Sequence, residues 1–517
     1  IRMTNTRKVA QSAAMIAVFT LISKFLGFLR EVLIASTYGS GYETDTYFVA
    51  MTATVIIMTT IGASLNTTLI PIFTEIEENR GKEAKLKFLN NMLNMVFFIT
   101  IILALLGFWL SPVVIRILAK GFTGKQFALA VKLNRIGLPI IIFLGFTYVF
   151  SGYLHSSEIF GPPAIMGLPY NFVFIIFLVF FAKEGNIHGL MLASVVAAST
   201  QFLIQVPAIK HQGYRYSYDI NLKDPYLKKV LVLVLPVVLG SAVQQINTII
   251  DKTLASSLVE GSISALTYAS RINDLIISVF VMAITTVIFP MLSRAFSQEN
   301  GGQIRRIMGQ GINIILIITV PATIGILILA EPMVRIFFQR GAFSEVATHM
   351  TSQALIFYSV GLVGSSLRLM LNRVYYSFQD TKTPMINGAL AVGLNVVLNL
   401  LLIKPMGHAG LALATSISAT FTTLLLFVDL RKKLGRMGLR NYLICFGKAL
   451  IASAIMGIVV YFMYFGLMSL LPNKWIIDLL ILLLSVAVGV FLYIILCSIL
   501  RIREIRILIR TLIKKMR

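Results

Sequence analysis

Thr67-Thr68-Leu69-Ile70-Pro71 returns later in the chain as Thr285-Thr286-Val287-Ile288-Phe289-Pro290, and this recurrence decides how the remaining sequence is read. Ala35-Ser36 and Gly41 recur as Ala255-Ser256 and Gly261 at an offset of 220. Tyr153 and Pro162 recur as Tyr375 and Pro384 at 222, and Gly189-Leu190 with Ala193-Ser194 recur as Gly410-Leu411 with Ala414-Thr415 at 221. Small residues are common in packed membrane helices, so no single match is decisive. A register that drifts by only a few residues across a whole half is. The chain reads as two copies of one unit, and duplicated membrane bundles are the build of alternating-access transporters.

Composition places those copies in a bilayer. Of 517 residues, 57% are hydrophobic and 13% charged, with a mean hydropathy of +0.86, outside the range of soluble domains. Apolar stretches of about 20 residues fall at 9–36, 46–72, 88–118, 130–155, 158–182, 187–209, 227–258, 262–293, 309–338, 347–376, 384–403, 409–430, 443–468 and 475–500. The expected fold is therefore an all-α polytopic membrane protein with fourteen transmembrane helices. Two six-helix lobes (1–210 and 227–431) are joined by a cytoplasmic linker (211–226) and followed by a terminal pair (432–500) and a basic tail (501–517). Six spans per half is an even number, so the repeat is parallel. The terminal pair lies outside the repeat, so the twelve-helix core is expected to pack without it.

A formal charge of +24 could indicate a nucleic-acid partner, but its distribution does not. With the N-terminus inside, about 30 of the 45 Lys and Arg fall on the cytoplasmic side and about 8 outside, which is the positive-inside pattern. The N- and C-termini are therefore expected to be cytoplasmic. The tail, with Arg501, Arg503, Arg506, Arg510, Lys514, Lys515 and Arg517 set among Ile and Leu, reads as an amphipathic helix on anionic lipid. The first span is expected to be retained, with Met3 as the natural start.

Cys445 and Cys497 offer neither a disulfide framework nor a metal spacing. No phosphate loop, Cys/His cluster or nucleophile elbow is present. The reading is a transporter, not an enzyme, with no cofactor beyond a possible Na+. Its energy comes from an ion gradient, the membrane potential or the substrate's own gradient.

Ionisable residues inside a span cost roughly 2.5–3.5 kcal/mol each and by default mark a water-filled path or a site. On the first helix Lys24 and Glu31 share one face, while Ser23, Gly27 and Arg30 form the adjoining stripe. The seventh helix carries Gln244, Gln245, Asn247, Asp251 and Lys252, and the eighth carries Arg271, Asn273 and Asp274. Arg30, Lys24 and Arg271 suit a phosphorylated substrate: guanidinium grips phosphate in a bidentate fork and ammonium adds a point charge. Pairing of Arg30 with Glu31, or of Arg271 with Asp274, is the plainer alternative.

Ser23-Lys24-Phe25-Leu26-Gly27-Phe28-Leu29-Arg30-Glu31, followed by Thr44-Asp45-Thr46-Tyr47-Phe48-Val49-Ala50, resembles the opening of the MurJ (MviN) lipid II flippases of the MOP exporter superfamily. Gln245 to Asp251, Tyr268-Ala269-Ser270-Arg271, Arg340-Gly341-Ala342-Phe343 and Asp380-Thr381-Lys382-Thr383-Pro384 resemble the same family in order and spacing. The resemblance implies two lobes around a cationic cavity and a groove beside the last two helices for a polyprenyl tail. It implies that Arg30, Arg271 and Lys24 bind the substrate diphosphate, with Ser23, Glu31, Asp45 and Asp274 as polar and acidic residues of the cavity. It also implies a sodium site at Asp251, Asn395, Asn399, Thr415 and the carbonyl of Leu411, with Asn399 where the family has a second carboxylate. The family's second-helix arginine has no counterpart in Ile56-Ile57-Met58-Thr59-Thr60. The function implied is movement of lipid II from the inner to the outer leaflet of the bacterial cytoplasmic membrane. The alternatives are a flippase for another lipid-linked oligosaccharide of teichoic-acid, capsule or O-antigen type, a cation-coupled small-molecule exporter, and a non-transporting scaffold.

Overall fold

The structure, a computed structural model, describes residues 2–182, 186–218, 220–298, 300–435, 437–472 and 474–506. It is helical throughout, as a chain in hydrocarbon must be if every backbone polar group is to be satisfied internally. In chain order the helices are α1 (Arg2–Tyr38), α2 (Tyr42–Leu118), α3 (Gly124–Gly137), α4 (Ile140–Ser156), α5 (Gly161–Ile165), α6 (Gly167–Ile176) with a π-helical end at Phe177–Phe181, α7 (Ile187–Leu203), α8 (Val206–His211) and α9 (Pro225–Ala255). They continue as α10 (Ser262–Ile276) with a π-helical end at Ile277–Val281, α11 (Met282–Ser297), α12 (Gly301–Phe338), α13 (Glu345–Val360), α14 (Leu362–Ser377), α15 (Lys382–Met406), α16 (His408–Leu434), α17 (Leu439–Leu470) and α18 (Trp475–Ile499).

Among the described residues ten helices are long and apolar enough to cross a membrane, or eleven if α13 and α14 count as one span. The expected fourteen differ from this for identifiable reasons. The second and third spans run together in α2, broken only at Gly81, whose φ of 81° and ψ of 175° are not helical. The tenth is bent by 48° at Gly361. A Cβ on Gly361 would sit 2.5 Å from Ser416 Cα, and Ser416 Oγ donates to the carbonyls of Phe357 (2.6 Å) and Tyr358 (3.2 Å). The hydroxyl thus satisfies carbonyls released by the bend, the condition for tolerating one in a membrane. α1 and α9, of 37 and 31 residues, lie outside the set.

The chain packs as two compact units, Ile1–Ser264 with Arg340–Phe343, and Ala265–Gln339 with Ser344–Arg517. The first unit is built around Phe73, Phe88 and Tyr153, whose rings meet edge to face at 5.5–5.6 Å. Lys85 is wholly buried beside them, and is compensated by Glu77 (2.6 Å), Ser157 Oγ (2.8 Å) and the Tyr153 ring (4.9 Å to its centroid). Without them a buried ammonium would be untenable. α9 packs here too, with Leu227 and Val230 in this core and Thr253 Oγ1 donating to the Ile117 carbonyl at 2.6 Å. The stretch ahead of it is strapped to α2 by three asparagines. Asn90, Asn91 and Asn94 donate to the carbonyls of Arg215, Asn221 and Ser217, and accept from Tyr214, Ser217, Asn221 and Tyr216.

The second unit has its core on α11, α12, α14 and α16, and α17 belongs to it: Tyr442 and Ala449 are buried in that core. Removal of the terminal pair would therefore uncover part of this core. Ile502 and Ile505 are buried against α17 and α18, and Asn313 Nδ2 donates to Glu504 Oε1 at 2.7 Å. Residues 507–517 lie outside the described residues.

Candidate functional site

Arg30 is the best-organised basic residue on α1. Its Nη2 donates to Glu31 Oε1 at 2.7 Å and its Nη1 to Asn171 Oδ1 at 3.2 Å, and its guanidinium lies over the rings of Tyr170 (5.4 Å) and Phe174 (5.1 Å). Both rings and Asn171 come from α6. That helix approaches closely because the contact is made of small residues: a Cβ on Gly167 would meet Ser23 Oγ at 2.0 Å, and one on Gly27 would touch Asn171 at 3.8 Å. Asn171 is itself fixed, donating to the carbonyls of Ser23 (3.1 Å) and Gly167 (2.8 Å). Tyr47, close enough to feel this charge, exchanges a hydrogen bond with Ser194 Oγ at 3.0 Å.

The arrangement fixes a charge without exhausting it. A guanidinium has five N–H donors and two are spent on protein acceptors, so the others remain for a ligand, in an orientation set by the flanking rings. Arg30 is 15% exposed and Glu31 3%, so the pairing named as the plainer alternative is present and sits where losing one partner costs about 3–5 kcal/mol. Asn171, Tyr170 and Phe174 are missed by sequence reasoning. Asn171 carries a signal, as a lone amide in the apolar run Tyr170-Asn171-Phe172-Val173-Phe174.

The other expected residues of the first unit lie elsewhere. Lys24 is exposed, with no hydrogen bond or ion pair among the described residues. Asp45, 3% exposed, accepts from the backbone N–H of Gly261 (2.8 Å) and of Ser264 (2.7 Å) and from Ser264 Oγ (2.6 Å). It thereby satisfies donors at the start of α10, which a helix leaves unpaired. Around it, Tyr42 N–H donates to Glu260 (2.6 Å) and Ala342 N–H to the Ser36 carbonyl (2.8 Å). Gly341 has φ 57° and no room for a side chain, since a Cβ would lie 2.2 Å from that carbonyl. Segments 36–45, 256–264 and 340–343 form one clasp.

In the second unit Arg271 and Asp274 are exposed one turn apart on α10. The amide and hydroxyl groups implied for sodium are paired among themselves on α15 and α16, which pack together. Asn399 Nδ2 donates to Asn395 Oδ1 at 2.8 Å and Thr415 Oγ1 to the Leu411 carbonyl at 3.0 Å. Asp251 is in the first unit, where Asn247 Nδ2 donates to its Oδ2 at 3.2 Å. The oxygens present are of the class a hard cation takes. Among the described residues no group of three or more His, Cys, Asp or Glu could hold a metal.

The second unit also contains a groove of about 670 Å³ walled by α12, α14, α16 and α17, through residues such as Leu316, Val320, Leu367, Leu424, Phe427 and Phe446. Its lining is almost wholly apolar, and Arg431 is its one charged residue. α18 contributes none of its walls.

Residues 34–485 match the family model described as lipid II flippase MurJ. The lipid II flippase MurJ of Burkholderia cenocepacia is 29% identical over 428 residues, covering 80% of this chain and 82% of that protein. A probable lipid II flippase MurJ of Haemophilus influenzae is 30% identical over 464 residues, covering 86% and 90%. Among solved structures, a lipid II flippase MurJ in an inward closed conformation superposes with a TM-score of 0.79 at 25% identity, covering 94% of this chain and 98% of that one. An inward-facing multidrug resistance MATE family transporter of the MOP superfamily shares the fold, with a TM-score of 0.69 at 14% identity, covering 81% and 98%.

Proposed function

We infer that this chain, which belongs to the lipid II flippase MurJ family, is a transporter that moves lipid II across the bacterial inner membrane by alternating access. The observation that carries the reading beyond family membership is Arg30, oriented by Glu31, Asn171 and two aromatic rings with N–H donors to spare. Such a group binds a diphosphate oxygen in a charge-assisted fork. Lys24 and Arg271 are assigned to the same headgroup, with Ser23, Glu31 and Asp274 as its polar surroundings, whereas Asp45 is spent on the clasp. The polyprenyl tail is assigned to the apolar groove beside α17, where Arg431 suits a phosphate at the interface.

Outward passage of a diphosphate carrying about two negative charges is downhill by roughly 4–5 kcal/mol per 100 mV, inside negative, if no protein charge moves with it. The potential therefore suffices for direction. Sodium at Asp251, Asn395, Asn399, Leu411 and Thr415 would add coupling. With one carboxylate instead of two, its affinity would be low. Both termini are assigned to the cytoplasm, and residues 501–517 to anionic lipid beyond the docked Ile502 and Ile505. The clasp around Asp45 then lies on the outer side and is the contact that must open to release substrate.

The test is complementation of a strain depleted of its lipid II flippase. Growth on expression of this chain supports the reading. Failure to grow with verified membrane insertion, together with rescue of a strain lacking a flippase for another lipid-linked saccharide, overturns it.

A further inference from the structure

One face of α14 carries polar groups that the protein does not use. Ser365, Arg368 and Asn372 are spaced three and four residues apart and so form one stripe along the helix. The rest of α14 is committed. Val363, Gly364 and Leu367 line the apolar groove, and Met370, Leu371 and Val374 are core. Each residue of the stripe is half-buried, yet none of their side chains has a hydrogen-bond or ionic partner among the described residues, and none is a sealed polar atom. Their heads open onto accessible space.

Other hydroxyls of the unit are spent on their own helix. Thr319, Thr415, Thr420 and Thr422 spend their hydroxyls on the carbonyl four residues back, the ordinary fate of a hydroxyl on a helix. Arg368 lies nine residues from the end of α14 at Ser377, about 13 Å along the axis. An arginine that deep in a span faces water or a ligand rather than lipid. Among the described residues no carboxylate pairs with it.

We propose that Ser365, Arg368 and Asn372 form a binding track for a diphosphate, Arg368 gripping phosphate oxygens while the serine hydroxyl and asparagine amide donate to those that remain. The proposal rests on the flippase reading and deepens it, by naming a diphosphate-binding site within the second unit. The same chemistry would take the phosphate of a phospholipid headgroup, so the probes must separate the two.

The experiment measures binding of undecaprenyl diphosphate, and separately of phosphatidylglycerol, to purified full-length protein in detergent, with thermal stability followed in parallel. Arg368→Met is expected to weaken undecaprenyl diphosphate binding roughly tenfold or more. Arg368→Lys should weaken it less, and Ser365→Ala and Asn372→Ala several-fold. Melting of unliganded Arg368→Met should be unchanged or higher, because no protein group loses a partner. Full affinity in Arg368→Met, or a lower melting temperature without ligand, makes Arg368 structural and overturns the track. Equal loss of phosphatidylglycerol binding overturns it as a substrate site. Arg30→Ala is the control: if it loses binding while Arg368→Met does not, only the track falls. If the parent itself does not bind undecaprenyl diphosphate, the flippase reading falls.

Discussion

Glu158 and Gln379, separated by the repeat offset, both adopt the left-handed backbone, with φ of 58° and 57°. Each ends a helix in the same way. Glu158 N–H donates to the His155 carbonyl and Ile159 N–H to that of Leu154. Gln379 N–H donates to the Tyr376 carbonyl and Asp380 N–H to that of Tyr375. These are paired Schellman caps, in which glycine is the usual residue. The duplication read from side-chain identities is thus present in backbone geometry, at a position where the residue types themselves differ.

Glycine at either cap is expected to stabilise the protein by a few tenths to about 1 kcal/mol, the relief of left-handed strain less the added freedom of the unfolded chain. Valine should cost about 1 kcal/mol or more. Melting in detergent reads both. Unchanged melting in Glu158→Val and Gln379→Val would show that the caps carry no strain.

Arg30→Ala strands the buried Glu31, so it is compared at membrane levels matched to the parent, where it is expected to abolish complementation and Arg30→Lys to restore it in part, because an ammonium cannot reproduce the fork. Asn171→Leu keeps the charge but loses its orientation, so activity should fall while expression holds. Growth of the alanine strain at parental rate would remove Arg30 from the headgroup site.

Asp45→Ala leaves two backbone N–H groups and a hydroxyl of the clasp without their acceptor, and should lower stability by about 2–4 kcal/mol. Gly341→Ala should also destabilise, since its Cβ has no space. If the clasp is the outer closure, a cysteine at Ser40 should be labelled faster by an impermeant maleimide in Asp45→Ala than in the parent. Equal labelling would assign Asp45 to local capping alone.

Sodium should raise the melting temperature of the parent weakly, of Asn399→Asp strongly, and of Asp251→Asn not at all, because a ligand binding only the folded state stabilises by mass action. Potassium is the control for ionic strength. No sodium dependence in either the parent or Asn399→Asp would leave the membrane potential as the driving force.

Asp380, in the loop before α15, feels burial that raises its carboxyl pKa, but the Lys433 ammonium and the Thr383 donors outweigh this and hold it down to about 2. A depressed folded-state value contributes stability above the unfolded value near 4, lost as pH falls from about 4 towards 2. The melting-temperature gap between the parent and Asp380→Asn should therefore be full at pH 7 and narrow below about pH 4. A gap independent of pH would show that the carboxylate's charge is not what stabilises the loop.

Periodicity and composition determined the helical membrane class, the internal duplication and the candidate arginines, because each is a property of residue order: apolar runs long enough for a bilayer, Thr67 to Pro71 returning at Thr285 to Pro290, and Arg30 set in hydrophobic sequence. Tertiary structure decided what order alone does not encode. The ring and amide partners of Arg30 come from α6, about 140 residues away, so nothing local to α1 could name them. The break at Gly361 depends on Ser416, a hydroxyl on another helix. The resemblance makes Asp45 an acidic residue of the cavity, yet its oxygens are committed to Gly261 and to Ser264 at the start of α10. Arg368 falls inside the tenth apolar run, where sequence leaves its role open, and the absence of a partner among the described residues is what distinguishes it. Local propensity fixes which segments become helices, whereas the use of a polar group is fixed by what the fold brings within about 3 Å of it.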